Sequence, residues 1–533
     1  MFRSLWVILC LITVGVQAQT NRYFVFFKNK TGTPYSISQP QEFLSAASIA
    51  RRQSQQISIT ETDLPVNPAY VQQLKDMDVA TYFTSRWWNG VLVEADAGEL
   101  PAISALEFVD HILLLAPGQK FSNGRKKKIK RKQDTTDQPL LNATQLSQLG
   151  IPTMHADGNR GEGISIAIFD SGFQGVDITT PFALLNTDNR IKQTFNFVNN
   201  NTDVFVADDH GTEVLSVMAA YIDGSYTGGA YMANYFLYLT EDVSSEYRIE
   251  EFNWTFAAEK ADSAGVQIIN SSLGYNEFDD SSMDYTKTQL DGQTAYVTRA
   301  ARWAIERGIV VVCSAGNEGN NSWQLVTPPA DATGIVAVGS ITAGGTRSSF
   351  SSVGPTEDDR IKPDVVALGS GTVVIRASGN VGTTSGTSLA SPLVASLAAG
   401  VWQAYPEFTA QEIYEALTQS ASLATSPDNF LGYGIPNYDA VVNYLREPEP
   451  PKSWLVYPNP VVGNTVKIQL DEIDNPIQIT LFDSRGTRVS ESTLEINWQN
   501  NPFEYDISPL LSGLYYVRVR SGTREATFRI MKQ

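Results

Sequence analysis

Two cysteines and three histidines are all that 533 residues contain, and that scarcity removes several chemistries at once. Cys10 lies inside an N-terminal apolar run and Cys313 stands alone beyond it, so no disulfide framework is available. There is no H-E-x-x-H pattern and no paired-cysteine spacing, which leaves a zinc hydrolase nothing to build on; no metal ligand is predicted. Positive charge is short as well. With 39 Lys and Arg against 57 Asp and Glu, the net charge of -18 counts against nucleic acid as the main partner. Beyond the N-terminus no run approaches the ~18 to 20 apolar residues that span a bilayer. What is present is enough to fold: 42% hydrophobic residues, 10% aromatic, and a length that implies several domains.

The first 18 residues read as an export signal. Arg3 supplies positive charge, Leu5 to Val16 is apolar, and Val16-Gln17-Ala18 is a small-residue cleavage site. A mature, soluble, exported protein beginning near Gln19, with no transmembrane segment, is expected. Cys10 would leave with the signal; a lipid anchor on it is disfavoured because it sits within the apolar run.

Composition then divides the chain. Residues 19–116 mix β-rich runs (Tyr23 to Phe27, Gly90 to Glu94) with helical stretches such as Asn67 to Met77, a small α+β domain. Residues 117–137 form a basic linker, with seven Lys or Arg in the eight positions from Arg125 to Lys132. Between two folded regions of an acidic chain, it reads as a protease-accessible junction. Residues 138–446 alternate strand and helix signals. The candidate strands are Ile164 to Phe169, Tyr235 to Leu239, Val266 to Asn270, Ile309 to Cys313 and Ile335 to Val338. Continuous apolar runs of this kind belong to strands covered on both faces, and the helical segments between them (Phe252 to Ala264, Tyr296 to Arg307) predict an α/β doubly wound, mostly parallel sheet. Residues 447–453 make a stiff Pro-rich linker. Residues 454–533 alternate apolar and polar positions around turns such as Asp483-Ser484-Arg485-Gly486, as in a small antiparallel β-sandwich.

Few histidines make the search for a general base short. His111 lies in an apolar stretch and His155 has no nucleophile or second ligand nearby in sequence. His210 stands in Asp208-Asp209-His210-Gly211-Thr212, just before the helix-like run Val214 to Ala220. Acyl transfer needs a nucleophile, a base and an acid that orients the base. Asp170 closes a predicted strand. Ser388 opens a small-residue helix running to about Gln403, where its own N–H is free and the helix dipole is positive. Asn317, in Ser314-Ala315-Gly316-Asn317-Glu318-Gly319, offers a side-chain amide of the kind that stabilises an oxyanion. Asp170, Asn317 and Ser272-Leu273-Gly274 all fall past the carboxyl ends of predicted strands, the edge where open α/β sheets bind ligands. Taken singly, each has an ordinary reading as a turn or cap residue; the order Asp, His, Asn, Ser in these local sequences changes the weighing. The acidic segment Leu239 to Phe256 could shape substrate preference, but a solvated face is the favoured reading.

Residues 164–403 resemble a subtilisin-like serine protease, a subtilase of the peptidase S8 family. The blocks that carry the resemblance are Ile166 to Gly172, His210-Gly211-Thr212, Asn270 to Gly274, Ser314 to Gly319 and Gly386-Thr387-Ser388-Leu389-Ala390-Ser391-Pro392. The resemblance implies a secreted serine endopeptidase with Ser388 as nucleophile, His210 as general base, Asp170 as its orienting acid and Asn317 as oxyanion donor. Ser272-Leu273-Gly274 would be the strand that pairs with substrate. Leu393 and Leu368 depart from the family pattern, at positions without chemistry. No cofactor is implied for the chemistry; structural calcium is common in the family, yet no ligand cluster of recognisable spacing stands out.

The flanks resemble known modules too. Residues 19–116 are similar to a subtilase propeptide, which implies an intramolecular inhibitor removed on activation. The tail, from Tyr457-Pro458-Asn459-Pro460 to Gly513-Leu514-Tyr515-Tyr516-Val517 and Lys532, resembles the sorting domain of type IX secretion cargo in Bacteroidetes. It implies that secretion machinery as a partner, and passage through a Gram-negative periplasm to release or surface attachment. The competing class is a surface binding or adhesion protein on an inactive protease scaffold, which a missing triad member would favour; all four positions are filled. With an unperturbed imidazole pKa of about 6.5, activity is expected to rise through neutral pH.

Overall fold

Strands rich in Val and Ile, buried on both faces, need helices on either side, and the computed structural model provides them. It describes residues 20–118, 141–446, 454–471, 473–496 and 501–533. The expected signal peptide, all but two residues of the basic linker and the Pro-rich linker lie outside these. The chain divides near residue 445 into two compact units.

The larger unit is organised by a seven-stranded, all-parallel sheet. Its order is Val365–Leu368, Val336–Ile341, Val310–Ser314, Ile268–Ser271, Ser165–Asp170, Asn234–Leu239, Ile191–Asn196. The five inner strands are the expected ones. Of the two outer ones, Ile191–Asn196 carries polar residues on a half-exposed edge, where a continuous apolar run is not required. Adjacent residues of a strand face opposite sides, and the central strand displays both. Ser271 Oγ accepts from Trp254 Nε1 at 3.0 Å on one face, while Asn270 Oδ1 accepts from Ser391 Oγ at 2.8 Å on the other. The helices Ile249–Ala264 and Thr387–Ala404 are therefore held on opposite faces of one sheet.

Residues 21–116 fold as a four-stranded antiparallel sheet in the order Ala80–Ser85, Gly90–Ala95, Asn21–Phe27, Val109–Ala116. Three α-helices accompany it, Ala46–Ser54, Pro68–Asp76 and the short Leu100–Ser104. Pro68–Asp76 begins where expected, with Asn67 capping Ala69 N at 2.9 Å and proline at the first position, where its missing N–H does no harm. This domain packs its aromatic face on the helices Ile249–Ala264 and Tyr296–Glu306: Phe24 and Trp88 lie against Phe252, and Trp88 against Trp303. His111 stacks on Phe26 with ring centroids 4.1 Å apart.

Beside the aromatics sits a buried ionic knot. Asp262, fully buried, accepts from Arg51 at 2.5 Å, from Arg52 at 2.7 Å and from Arg86. Asp63 pairs with Arg52 and with Arg307 at 2.9 and 2.8 Å. Burial raises the Asp262 pKa, but the arginines outweigh it and hold the carboxyl below its ordinary value. Arg51, Arg52, Arg86 and Asp63 belong to the N-terminal domain and Asp262 and Arg307 to the sheet domain, so the knot spans their interface. Buried charges of this kind tie the partners by what their separation exposes.

The smaller unit has a three-stranded sheet (Leu455–Tyr457, Thr465–Gln469, Phe503–Asp506) and a four-stranded one (Arg488–Leu494, Ile477–Asp483, Gly513–Ser521, Arg524–Lys532), all antiparallel. Val466 and Ile468 from the first share one core with Ile479, Leu481 and Val517 from the second. The turn after Asp483 closes through Gly486 N to Asp483 O at 3.0 Å, with Gly486 at φ +81.

Asp262→Asn leaves three buried arginines short of a counter-charge. Breaking such a pair typically costs about 3–5 kcal/mol. Urea unfolding of the unprocessed chain, followed by the fluorescence of interfacial Trp87 and Trp88, should begin at lower denaturant in the variant. An unchanged transition would show that the knot does not hold the domains together.

Candidate active site

Three of the sequence blocks converge because parallel strands all end on one side. Asp170 is the last residue of its strand and fully buried. Its Oδ1 accepts from Ser171 N at 2.8 Å and lies 2.8 Å from His210 Nδ1. His210 opens the helix His210–Ala219, and the chain can come this close only because the next residue is glycine. A Cβ on Gly211 would meet Gly172 O at 2.5 Å and Asp170 Cβ at 2.9 Å. The contact commits Nδ1 to Asp170 and leaves Nε2 as the basic nitrogen.

The electrostatics of His210 depart from the expectation for a free imidazole. Burial lowers its pKa, but Asp170, with Asp208 and Glu213 behind it, outweighs that and moves it up to about 9. The ring remains 32% exposed. His155, by contrast, is turned to Gly229 O at 2.8 Å, and burial lowers its pKa. Cys313 is fully buried, and its thiol is pushed up to about 12, so it is inert as a nucleophile.

Ser388 is the second residue of the helix Thr387–Ala404 and is buried. Proline at position 392 removes the N–H that an α-helix would aim at the carbonyl of residue 388. That carbonyl accepts instead from Ser272 Oγ at 2.9 Å, while Ser388 Oγ donates to Ser272 O at 3.3 Å. Ser391 and Asn270 close the same seam. Sequence reasoning assigned no role to Asn270, Ser391 or Pro392; the gap left by a proline five residues into a helix was the available signal. Among the described residues no hydrogen bond joins Ser388 to His210. Catalytic contacts of this type commonly tighten only when substrate is bound.

Asn317 follows the strand Val310–Ser314 through Gly316 at φ +103. Its Oδ1 accepts from Thr387 N at 2.9 Å and from Thr387 Oγ1 at 3.1 Å. Both partners are donors, so they fix which end of the amide is oxygen and leave Nδ2 as the free donor beside the start of the Ser388 helix. Past Ser271 the chain leaves the sheet; Leu273 is half-buried and Gly274 exposed, so an edge of backbone is open beside Ser388.

The acidic segment is not the solvated face expected for it. Glu250 and Glu251 are buried in the first turn of the helix Ile249–Ala264, where the dipole favours carboxylates. Glu251 is satisfied by Tyr285 Oη at 2.9 Å and Val297 N at 3.1 Å. Glu241, Glu246 and Glu250 crowd together instead. Burial first, then neighbouring carboxylates, push Glu241 up to about 8, Glu246 up to about 7 and Glu250 well above the ordinary range.

Comparison with known proteins fits this arrangement. Residues 161–434, just over half of the chain, match the subtilase family, Peptidase S8. The chain belongs to that family. It is a serine endopeptidase of the subtilisin type, with two further modules: residues 22–137 match the peptidase S8 propeptide domain of Bacteroidota, and residues 455–533 a secretion system C-terminal sorting domain. Subtilisin of Bacillus pumilus is 29% identical over 298 residues, covering 55% of this chain and 96% of that protein. Subtilisin NAT of Bacillus subtilis subsp. natto is 29% identical over 55% of this chain and 70% of its own length. Serine protease AprX of Bacillus subtilis (strain 168) is 29% identical over 52% and 65%. The sorting domain places the protein among those exported across the outer membrane, secreted or attached at the surface. Among the described residues no helix is long and apolar enough to cross a membrane.

Removing the Ser272 hydroxyl leaves the Ser388 carbonyl buried with no donor. A buried acceptor left unpaired costs about 1–3 kcal/mol. Ser272→Ala should therefore lower the thermal midpoint and weaken peptide hydrolysis together. Unchanged stability in a calorimetric scan would mean that the seam contributes nothing.

Proposed function

We propose that this chain hydrolyses peptide bonds through an acyl-enzyme at Ser388, with His210 as general base and acid, Asp170 orienting His210, and an oxyanion hole made of the Ser388 N–H and Asn317 Nδ2. The observation that carries the reading is the 2.8 Å contact of Asp170 with His210 Nδ1 at the sheet edge where Ser272 is joined to Ser388. An extended substrate pairs with the backbone of Ser272-Leu273-Gly274. Ser388 Oγ turns from Ser272 O to His210 Nε2, gives up its proton there and attacks the scissile carbonyl. The oxyanion gathers the two N–H donors. His210 then passes the proton to the leaving amine, and water, activated by the same nitrogen, releases the acid and restores Ser388.

In this reading the N-terminal domain acts as an inhibitor until it is cut away, the basic run Arg125 to Lys132 is the junction that is cut, and the C-terminal domain engages the type IX secretion machinery. The aromatic and ionic interface supports the first of these. If processing is self-catalysed, Ser388→Ala chain accumulates with residues 19–116 still attached and hydrolyses no casein. Normal processing of a purified Ser388→Ala preparation excludes self-cleavage as the route.

The raised His210 pKa moves the expected pH window. The base must be neutral, so kcat/KM should climb as pH rises and level off only beyond about 9. Stability runs the other way. A histidine whose folded pKa lies above its unfolded value of about 6.5 stabilises fully below that value and loses the contribution as pH rises through the folded one. Denaturation midpoints of the Ser388→Ala chain should fall between pH ~6.5 and ~9, with a smaller fall in Asp170→Asn. A rate plateau already reached at pH ~7 would contradict the Asp170 effect.

A further inference from the structure

The acidic cluster lies at the carboxyl edge of the sheet, on the strand beside the one that ends in Asp170. Leu239 pairs in register with Asp170, Thr240 N donates to Asp170 O at 3.0 Å, and Glu241 follows. One carboxylate oxygen from each of Glu241, Glu246 and Glu250 lies within 4.8 Å of the others. Asp242 and Asp279 add negative charge, through Asp242 N to Glu250 Oε1 at 2.7 Å and Glu246 N to Asp279 Oδ2 at 3.1 Å.

Two acceptor atoms at this corner are left without partners, one of them on the cluster itself. Glu250 is 1% exposed and its Oε2 has no donor. Asn253, one turn along the same helix face and 3% exposed, gives its amide to Thr240 O at 3.0 Å, the residue preceding Glu241. Its Oδ1 is likewise buried and without a donor. Buried acceptors are almost always paired, and each exception needs an account. Here two acceptors of hard-oxygen type go unpaired, one on a member of the crowded carboxylates and one on the helix turn beside it.

We propose that Glu241, Glu246 and Glu250 hold a divalent cation of calcium size, with Asn253 Oδ1 as a further oxygen ligand. The donor set is all oxygen, with no imidazole or thiolate, which selects calcium-like over zinc-like ions. Oxygens on opposite sides of a calcium ion stand about 4.6–5.2 Å apart, from Ca–O distances of roughly 2.3–2.6 Å, so a group within 4.8 Å fits around one. Arg22 of the N-terminal domain is a competing cation, whose charge acts on Asp242 and Glu250. Among the described residues it makes no hydrogen bond to any of the three carboxylates.

The site has a way to reach the chemistry. Tyr275 Oη donates to Glu241 Oε1 at 2.7 Å, and Tyr275 directly follows Ser272-Leu273-Gly274. Holding Glu241 in place braces the backbone proposed to pair with substrate. The ion binds and orders; it takes no part in bond making.

The test uses the full chain carrying Ser388→Ala, to prevent self-digestion, with and without Glu246→Gln. Glu246 is the half-exposed member, and its neutral amide relieves repulsion, so the variant should melt in EGTA no lower than its parent. With calcium at about 100 times its Kd the parent should gain about 3 °C in Tm and bind one more calcium per chain than the variant. The variant should lose that share of the gain. A second readout leaves the carboxylates intact: terbium bound at the site should draw luminescence from Tyr275, and Tyr275→Phe should remove that part of the emission. Equal calcium content and an equal Tm rise with and without Glu246→Gln would overturn the proposal, leaving a cluster that simply holds protons. Terbium emission unchanged by Tyr275→Phe would overturn it as well.

Discussion

Proline at position 392 leaves the carbonyl of Ser388 without a helical donor, and the hydroxyl of Ser272 fills the place. Much else hangs on that substitution of one hydrogen bond for another. It fastens the start of the Thr387–Ala404 helix to the end of the central strand, so the proposed nucleophile and the backbone proposed to face substrate are held together. Ser391 with Asn270 repeats the join one turn later, and Thr387 with Asn317 extends it to the next strand. A serine, a carboxamide and a stretch of open backbone, drawn from three distant segments, are thus held in one frame. Preorganisation of this kind is where much of an acyl-transfer enzyme's rate enhancement lies.

The N-terminal domain meets the sheet domain by quite different means. Its contact combines a broad aromatic face with charges that water never reaches, centred on Asp262. Such an interface is stable while intact and strongly disfavours partial separation, because opening it exposes unpaired buried charge. That suits the proposal of a domain that stays until the chain is cut. The same helix, Ile249–Ala264, carries Asp262 at one end and Glu250 at the other, so the interface with the N-terminal domain and the crowded carboxylates share one rigid element.

How much of this was legible in the sequence follows a physical division. Inner strands announced themselves because burial on both faces demands continuous apolar runs, as in Ile309 to Cys313. The outer strand Ile191–Asn196 did not, since a half-exposed edge tolerates Lys192 and Gln193. The triad candidates were legible because backbone requirements leave residues in the chain: glycine at 211 and 172, serine at a helix start, asparagine after a strand. Their linking bonds were not, because Ser272 and Ser388 are 116 positions apart and nothing local encodes the pairing. The acidic segment was read as solvated from charge density alone. Whether a glutamate faces water depends on what packs over it, and here Tyr285 and the start of the helix Tyr296–Glu306 close over Glu251 while Tyr275 reaches Glu241. The histidine pKa failed for the same reason: an imidazole in sequence carries no record of the carboxylate folded against it.

The central claim, that Ser388 is the nucleophile activated at this edge, is tested most directly by labelling processed enzyme with a fluorophosphonate and locating the adduct by mass spectrometry. The account predicts a single stoichiometric adduct on Ser388, abolished in His210→Ala. Active enzyme that takes no label, or that carries it on another serine, would contradict it.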